Sequence, residues 1–239
     1  MTTLERFDPT GIQRVLCIVA HPDDMEYGGS AAVAEWTAQG IEVSYLLLTA
    51  GEAGMRGVAP KVAGPLRAAE QRAACDVVGV TDLTILDLPD GLVEHSIETR
   101  RRIAHAIRQA RPDAIFTMTW DLEAGWGLNH ADHRATGLAV VDAIRDADNP
   151  WLFREQLTDG LTEWKTTWLL ATAHRPDHAI EVSERALELG IASLAAHREY
   201  LEALPDHPTP HDLVTGVLTG GGEQAGLPFA LPVHAYRMG

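Results

Sequence analysis

The sequence predicts an α/β fold, a mainly parallel sheet with helices on both faces and a C-terminal elaboration, on three observations. Apolar β-rich runs alternate with longer amphipathic ones. The apolar runs are continuous rather than alternating, as strands buried on both faces require. Acids, glycines and histidines collect just after those runs, where open parallel sheets hold their ligands.

The elements follow in order. "RVLCIVA" (14–20) reads as a buried strand, and "SAAVAEWTAQG" as a helix that Gly40 closes in a left-handed conformation. "IEVSYLLLT" is a second strand, residues 65–78 a helix, and "LTILDL" a third strand. A helix over 96–110 stops before Pro112, "DAIFTM" is a fourth strand, and residues 130–147 form a helix. Past Pro150 come two short strands, "TTWLLAT" and "HAIEV". A helix over 183–204 follows, with Leu187, Ile191 and Leu194 on one stripe. The tail "GGGEQAGLPFALPVHAYRMG" reads as irregular, because Gly and Pro punctuate it. This is a Rossmann-like arrangement, read as one domain over 1–239.

Composition excludes several classes. At 239 residues and 46% hydrophobic content the chain can bury a sizeable core. A net charge of −15, from 34 acids against 19 bases, argues against nucleic acid and anionic lipid as partners. Two isolated cysteines, Cys17 and Cys75, make neither a disulfide framework nor a metal knuckle. "MTTLERFDPTG" lacks the pattern of a signal peptide, and no apolar run approaches the roughly 20 residues of a membrane span, so a cytoplasmic protein is expected.

The strand-end loops read "HPDDMEYGG", "AGEAGMRG", "PDGLVEHS" and "TWDLEAGWGLNHADH". His21 and Asp24 leave their strand three residues apart, and His130 and His133 are also three apart, adjacent on a first helical turn. Two histidines and a carboxylate with an open fourth position suit a catalytic zinc, which lowers the pKa of bound water to about 7. A carboxylate left over then serves as general base. Each pair read alone is equally compatible with surface or capping roles. Spacing does not decide which three of His21, Asp23, Asp24, His130 and His133 bind the metal. The mixed N/O set also accepts other divalent transition metals.

"AHPDDMEYGG" and "HADH" resemble the two signatures of the LmbE/PIG-L family of zinc-dependent N-deacetylases, which includes the GlcNAc-phosphatidylinositol, mycothiol and bacillithiol pathway enzymes. The likeness extends to "TAGEAGMRG", Arg67-x-x-Glu70, "LPDG" and "RPDHAIEVS", in the family's order. The resemblance implies one Zn2+ on His21, Asp24 and His133, with Asp23 as general base. It implies His130 as a protonated imidazole at the oxyanion or leaving amine, and Asp132 as the carboxylate that orients His130. Glu52, Arg67 and Asp90 match positions that line the family's sugar pocket; read alone, Arg67 pairs with Glu70 and Asp90 starts a turn. Two departures stand out. Ala131 replaces the usual proline of the second signature, and Leu128 replaces the tyrosine of the mycothiol-pathway enzyme, which argues against a mycothiol-type substrate.

The function expected is metal-dependent hydrolysis that removes an acyl group, acetyl first, from the nitrogen of an amino sugar or glycoconjugate. Its partner is then a small N-acylated sugar, and a homo-oligomer is compatible with the sequence. The alternatives are an amidase or esterase on a non-sugar or thiol-conjugate substrate, and a non-catalytic metal- or sugar-binding module. A nucleotide-binding protein is disfavoured because Gly28 and Gly29 do not form a GxGxxG cradle. Trp120 and Trp126 are candidates for sugar stacking or for anchoring their loop. His95, His174 and His178 are further candidates to line the site, and His197 reads as structural.

Overall fold

The computed structural model describes residues 3–172 and 175–238. The strands are β1 (Glu5–Arg6), β2 (Arg14–Val19), β3 (Glu42–Leu47), β4 (Asp82–Ile85), β5 (Ala114–Thr117), β6 (Glu123–Ala124), β7 (Gly127–Leu128), β8 (Trp168–Ala171), β9 (His178–Glu181) and β10 (Ala230–Arg237). The helices are α1 (Gly29–Ala38), α2 (Pro60–Val77), α3 (Ile97–Ala110), α4 (Ala131–Ala147), α5 (Arg154–Thr158), α6 (Glu184–Ala195), α7 (Arg198–Glu202) and α8 (Pro210–Ala225). Eight strands join in the order β1-β9-β10-β8-β5-β2-β3-β4. The run from β8 to β4 is parallel throughout. β10 lies antiparallel between β8 and β9, and β1 extends β9 in parallel.

The continuous apolar strands are explained by the two cores. In β2, Val15, Cys17 and Val19 face one core, while Leu16 and Ile18 face the other. Helices α1, α2, α6 and α8 pack together on the first face, and α3 packs on α4 over the second. Gly40 has φ +83, the left-handed helix stop expected of it. Among the described residues no helix is long and apolar enough to cross a membrane.

Two expectations fail in the C-terminal third. The helix over 183–204 is broken into α6 and α7 at His197, whose φ and ψ of −80° and 48° leave the helical region. Its fully buried side chain turns toward Glu26 instead. The tail is not irregular, since it contains most of the end of α8 and all of β10. Glycine misleads there because packing, not flexibility, requires it. A Cβ on Gly221 would sit 2.1 Å from the Ala230 carbonyl oxygen, and one on Gly222 2.5 Å from that of Leu227.

Candidate active site

The site lies over the C-terminal ends of β2, β3, β4 and β5, and its first loop is held rigidly. Asp23 is buried at φ +82, a left-handed conformation that costs an aspartate of order 1–3 kcal/mol. The surroundings impose it. Its N–H donates to Gln71 Oε1 at 2.9 Å, and Arg67 Nη2 donates to Asp23 Oδ1 at 3.0 Å and to the Pro22 carbonyl at 2.7 Å. Arg67 Nη1 also binds the Gly51 carbonyl at 2.8 Å, and the guanidinium lies over the Tyr200 ring at 3.9 Å. Behind Gln71, Glu26 receives its Nε2 at 3.2 Å and faces His197 Nε2 at 3.6 Å, all in the interior. Burial pushes the Asp23 carboxyl up to about 7, opposed by Arg67 and assisted by the Asp24 charge.

One atom each of His21, Asp24 and His133 lie within 4.8 Å of one another. Asp24 stands between the two rings, with Oδ1 3.1 Å from His133 Nε2 and Oδ2 3.5 Å from His21 Nδ1. Its Oδ2 also accepts the His21 N–H at 2.7 Å, which closes the turn. Burial disfavours charge on Asp24, but the neighbouring His133 and His21 outweigh it and hold the carboxyl well below the usual range. Burial likewise disfavours a charged His21, yet Asp24 and hydrogen bonds to Asp132, Asp24 and Asp90 push its pKa up to about 12. His21 Nδ1 and His133 Nε2 each face an Asp24 oxygen, and two nitrogens with a carboxylate suit a divalent cation. These residues therefore fit the metal that the sequence implies.

A second grouping, His21, His130 and Asp132, also converges. Its carboxylate is already committed. Asp132 is fully buried, and its two oxygens accept the Gly91 N–H at 2.7 Å and the Val93 N–H at 3.1 Å. Asp132 Oδ2 also meets His21 Nε2 at 3.1 Å, beside Asp90 Oδ1 at the same distance. A carboxylate on one ring nitrogen, leaving the other to face the site, is the usual support of a metal-binding histidine.

This corrects the role expected of Asp132, whose carboxylate orients His21 and not His130. The reason is helical geometry, because residues two apart project in different directions. What His130 receives from Asp132 is the backbone N–H, donated to Nδ1 at a long 3.4 Å as His130 caps α4. That contact leaves the ring proton to Nε2. Burial, then the charges of His21 and His133, lower the His130 pKa.

The expected sugar contacts are also revised. Arg67 is buried with its guanidinium taken up by Asp23 and two carbonyls, so it positions Asp23 while still lining the cavity. It does not pair with Glu70, which accepts the Glu199 N–H instead. Glu52 Oε1 accepts the Asp90 N–H at 2.9 Å, and Asp90 Oδ2 accepts the Ala53 N–H at 2.7 Å, so these two lace the β3 and β4 loops together. Asp90 still lines the cavity, while Glu52 does not. Trp126 projects from the β6–β7 hairpin, 65% exposed, with its ring 6.3 Å from that of His133, whereas Trp120 packs on Tyr236. His95 pairs with Asp142 and His178 with Asp177, outside the site; His174 lies outside the described residues. Gln71, Glu26 and Tyr200 were not foreseen. Gln71 lies four residues after Arg67 on one helix face, and that spacing was the available signal.

A mainly parallel α/β sheet here gathers histidines and carboxylates at its strand ends, a donor set suited to a divalent metal site. Residues 16–144 match the model of PIG-L, GlcNAc-PI de-N-acetylase, and the chain belongs to that family. It is 28% identical over 190 residues to a diacetylchitobiose deacetylase of Thermococcus kodakarensis, covering 78% of this chain and 69% of that protein. It is 27% identical to a 1D-myo-inositol 2-acetamido-2-deoxy-alpha-D-glucopyranoside deacetylase of Kineococcus radiotolerans, covering 100% of this chain and 72% of that one. In structure it resembles N,N'-diacetylchitobiose deacetylase from Pyrococcus horikoshii, with a TM-score of 0.85 and 21% identity over 96% of this chain and 85% of that chain. That last likeness shows the fold.

Proposed function

We propose that the protein hydrolyses the amide of N-acylated amino sugars or their glycoconjugates, as a metal-dependent N-deacylase. What carries this reading is the convergence of His21, Asp24 and His133 beside a buried, oriented Asp23. The two curated relatives, both deacetylases by name, support the amino-sugar substrate class. His21, Asp24 and His133 would hold one divalent cation, zinc by preference. When bound, such a cation supplies Lewis acidity, polarising the amide carbonyl and acidifying water.

The chain's own residues do the rest. Asp23 accepts a proton from the attacking water, and Arg67 and Gln71 hold the carboxylate in place while it does so. A basicity near 7 suits a group that must take a proton and then give it up. The His130 Nε2–H donates to the carbonyl oxygen as negative charge gathers there. Asp23 returns the proton to nitrogen as the C–N bond breaks, so one water is consumed and a carboxylic acid and an amine are released. Asp132 and Asp90 keep His21 oriented throughout.

The test is amine release from N-acetylglucosamine conjugates by protein loaded with Zn2+, measured beside ester and non-sugar amide panels. Ester cleavage without amide cleavage would reject the reading, as would tight sugar binding with no turnover in excess metal.

A further inference from the structure

Two phenols line the cavity, Tyr27 on the first motif loop and Tyr200 on α7, and they are used differently. The Tyr27 hydroxyl meets His207 Nε2 at 2.9 Å. His207 Nδ1 meets the Pro208 carbonyl at 2.6 Å and carries a proton to do so, which leaves Nε2 to accept in the neutral ring. Tyr27 therefore spends its proton tying the α7–α8 loop to the motif loop. Thr119 and Thr172, which also line the cavity, are engaged by backbone. Thr119 Oγ1 accepts the Asp121 N–H at 3.2 Å, and Thr172 Oγ1 the Thr119 N–H at 3.1 Å.

Tyr200 is turned toward the chemistry. It stands three residues past the helix break at His197, and its ring covers the Arg67 guanidinium at 3.9 Å. Its hydroxyl is directed at the Asp23 carboxylate. Burial, and then the Asp23 charge, hold the phenol well above its usual pKa, so it keeps its proton and donates to that carboxylate. A phenol oxygen that donates can still accept. Tyr200 is half-buried and lines the cavity, so that capacity is open to a substrate.

Resting on the proposed amide hydrolysis, we infer that Tyr200 is a specificity-determining residue, whose Oη accepts a hydrogen bond from the 3-hydroxyl of a 2-acylamino sugar while its own proton is held by Asp23. The chemistry selects that hydroxyl. Asp23 returns its proton to the leaving nitrogen, so the nitrogen and the ring carbon bearing it come to rest beside Asp23. In a 2-amino sugar the flanking oxygens are those on C1 and C3. In a glycoconjugate the C1 oxygen carries the aglycone and has no hydrogen to donate, whereas the 3-hydroxyl does. One chain of hydrogen bonds then runs from the sugar through Tyr200 to the base, and a correctly seated sugar also seats the carboxylate.

Zn2+-loaded full-length wild type and Tyr200→Phe would be assayed for amine release from the methyl glycoside of N-acetylglucosamine and from its 3-deoxy analogue. Tyr200→Phe keeps the ring over Arg67, so metal content and a folded thermal transition should be retained. Loss of the 3-hydroxyl should lower the wild-type kcat/KM about 10–10²-fold. Tyr200→Phe should lose as much on the full sugar but less than about threefold on the 3-deoxy analogue, because the two changes remove one shared contact. Equal losses on both sugars would show that Tyr200 acts on Asp23 alone and overturn the inference. A wild type indifferent to the 3-hydroxyl, which needs no variant to observe, would overturn it as well. If wild type releases amine from neither sugar, the hydrolase reading fails and calorimetric binding of the same two sugars decides the contact. Binding weakened by Tyr200→Phe only where the 3-hydroxyl is present keeps it, and binding equal in both proteins rejects it.

Discussion

The two motif loops face the same cavity, yet they are held in opposite ways. The first loop is buried, and a polar framework drawn from α2, the β3 loop and the α6–α7 break surrounds Asp23. The second loop is anchored at Asn129, one residue before His130. The Asn129 side chain donates to the Thr119 and Asp121 carbonyls at 2.9 and 3.0 Å, while His130 itself is exposed with a single 3.4 Å contact. On the proposed reading, the difference separates two tasks. A base and a metal ligand must be placed before substrate arrives, because a misplaced carboxylate loses both its basicity and its aim. A donor to the oxyanion must reach a group that arrives with the substrate, so it stands at the rim.

The largest effect should come from removing the residue that joins the two loops. Asp24→Ala takes away the carboxylate between His21 and His133, leaving two rings with nothing to bring them together. Bound metal, measured by elemental analysis after purification without chelator, should fall to about a tenth or less of wild type, and turnover should vanish with it. Full metal content in this variant would move the ligand set to His21, His130 and Asp132.

Asp23→Asn tests the rigid loop with its metal intact. The amide keeps an oxygen for Arg67 but cannot accept a proton, so kcat should fall about 10²–10⁴-fold at unchanged metal content. His130→Ala tests the rim, and kcat should fall about 10²–10³-fold, again with the metal retained. Because the His130 side chain also caps α4, its variant should lose about 1 kcal/mol of stability, read as a small fall in thermal midpoint. Metal loss in His130→Ala would show that the rim is a ligand after all.

The contrast also explains what could be read from sequence. Buried parallel strands announce themselves through continuous apolar runs such as Val15–Val19, and loops at their ends through His21, Asp24, His130 and His133, so the sheet centre and the members of the site were legible. Direction was not. The resemblance pairs Asp132 with His130, but its carboxylate turns inward to His21, a residue 111 positions away. The resemblance puts Arg67 at a sugar-pocket position, and the fold adds what sequence does not show, that its guanidinium is buried against Asp23 at the cavity wall. The end of α8 and β10 were hidden because glycine and proline weaken local signals that long-range packing overrides.

The smallest effect expected is the most specific to the comparison. Gln71 touches no substrate, yet its Oε1 holds the Asp23 N–H and its Nε2 holds Glu26. Gln71→Leu is close in volume and leaves that backbone N–H buried without an acceptor, which costs about 1–3 kcal/mol of stability. The left-handed turn at Asp23 loses one of its restraints, so the carboxylate should sample positions away from its aim, and kcat should fall about tenfold with KM and metal content unchanged. An equally conservative change in the second loop, Asn129→Leu, should act differently: it unties the carbonyls of Thr119 and Asp121, and KM should rise as the rim loses its shape. If Gln71→Leu is destabilised but turns over at the wild-type rate, the framework behind Asp23 serves folding alone, and the division between a fixed base and a reachable donor fails.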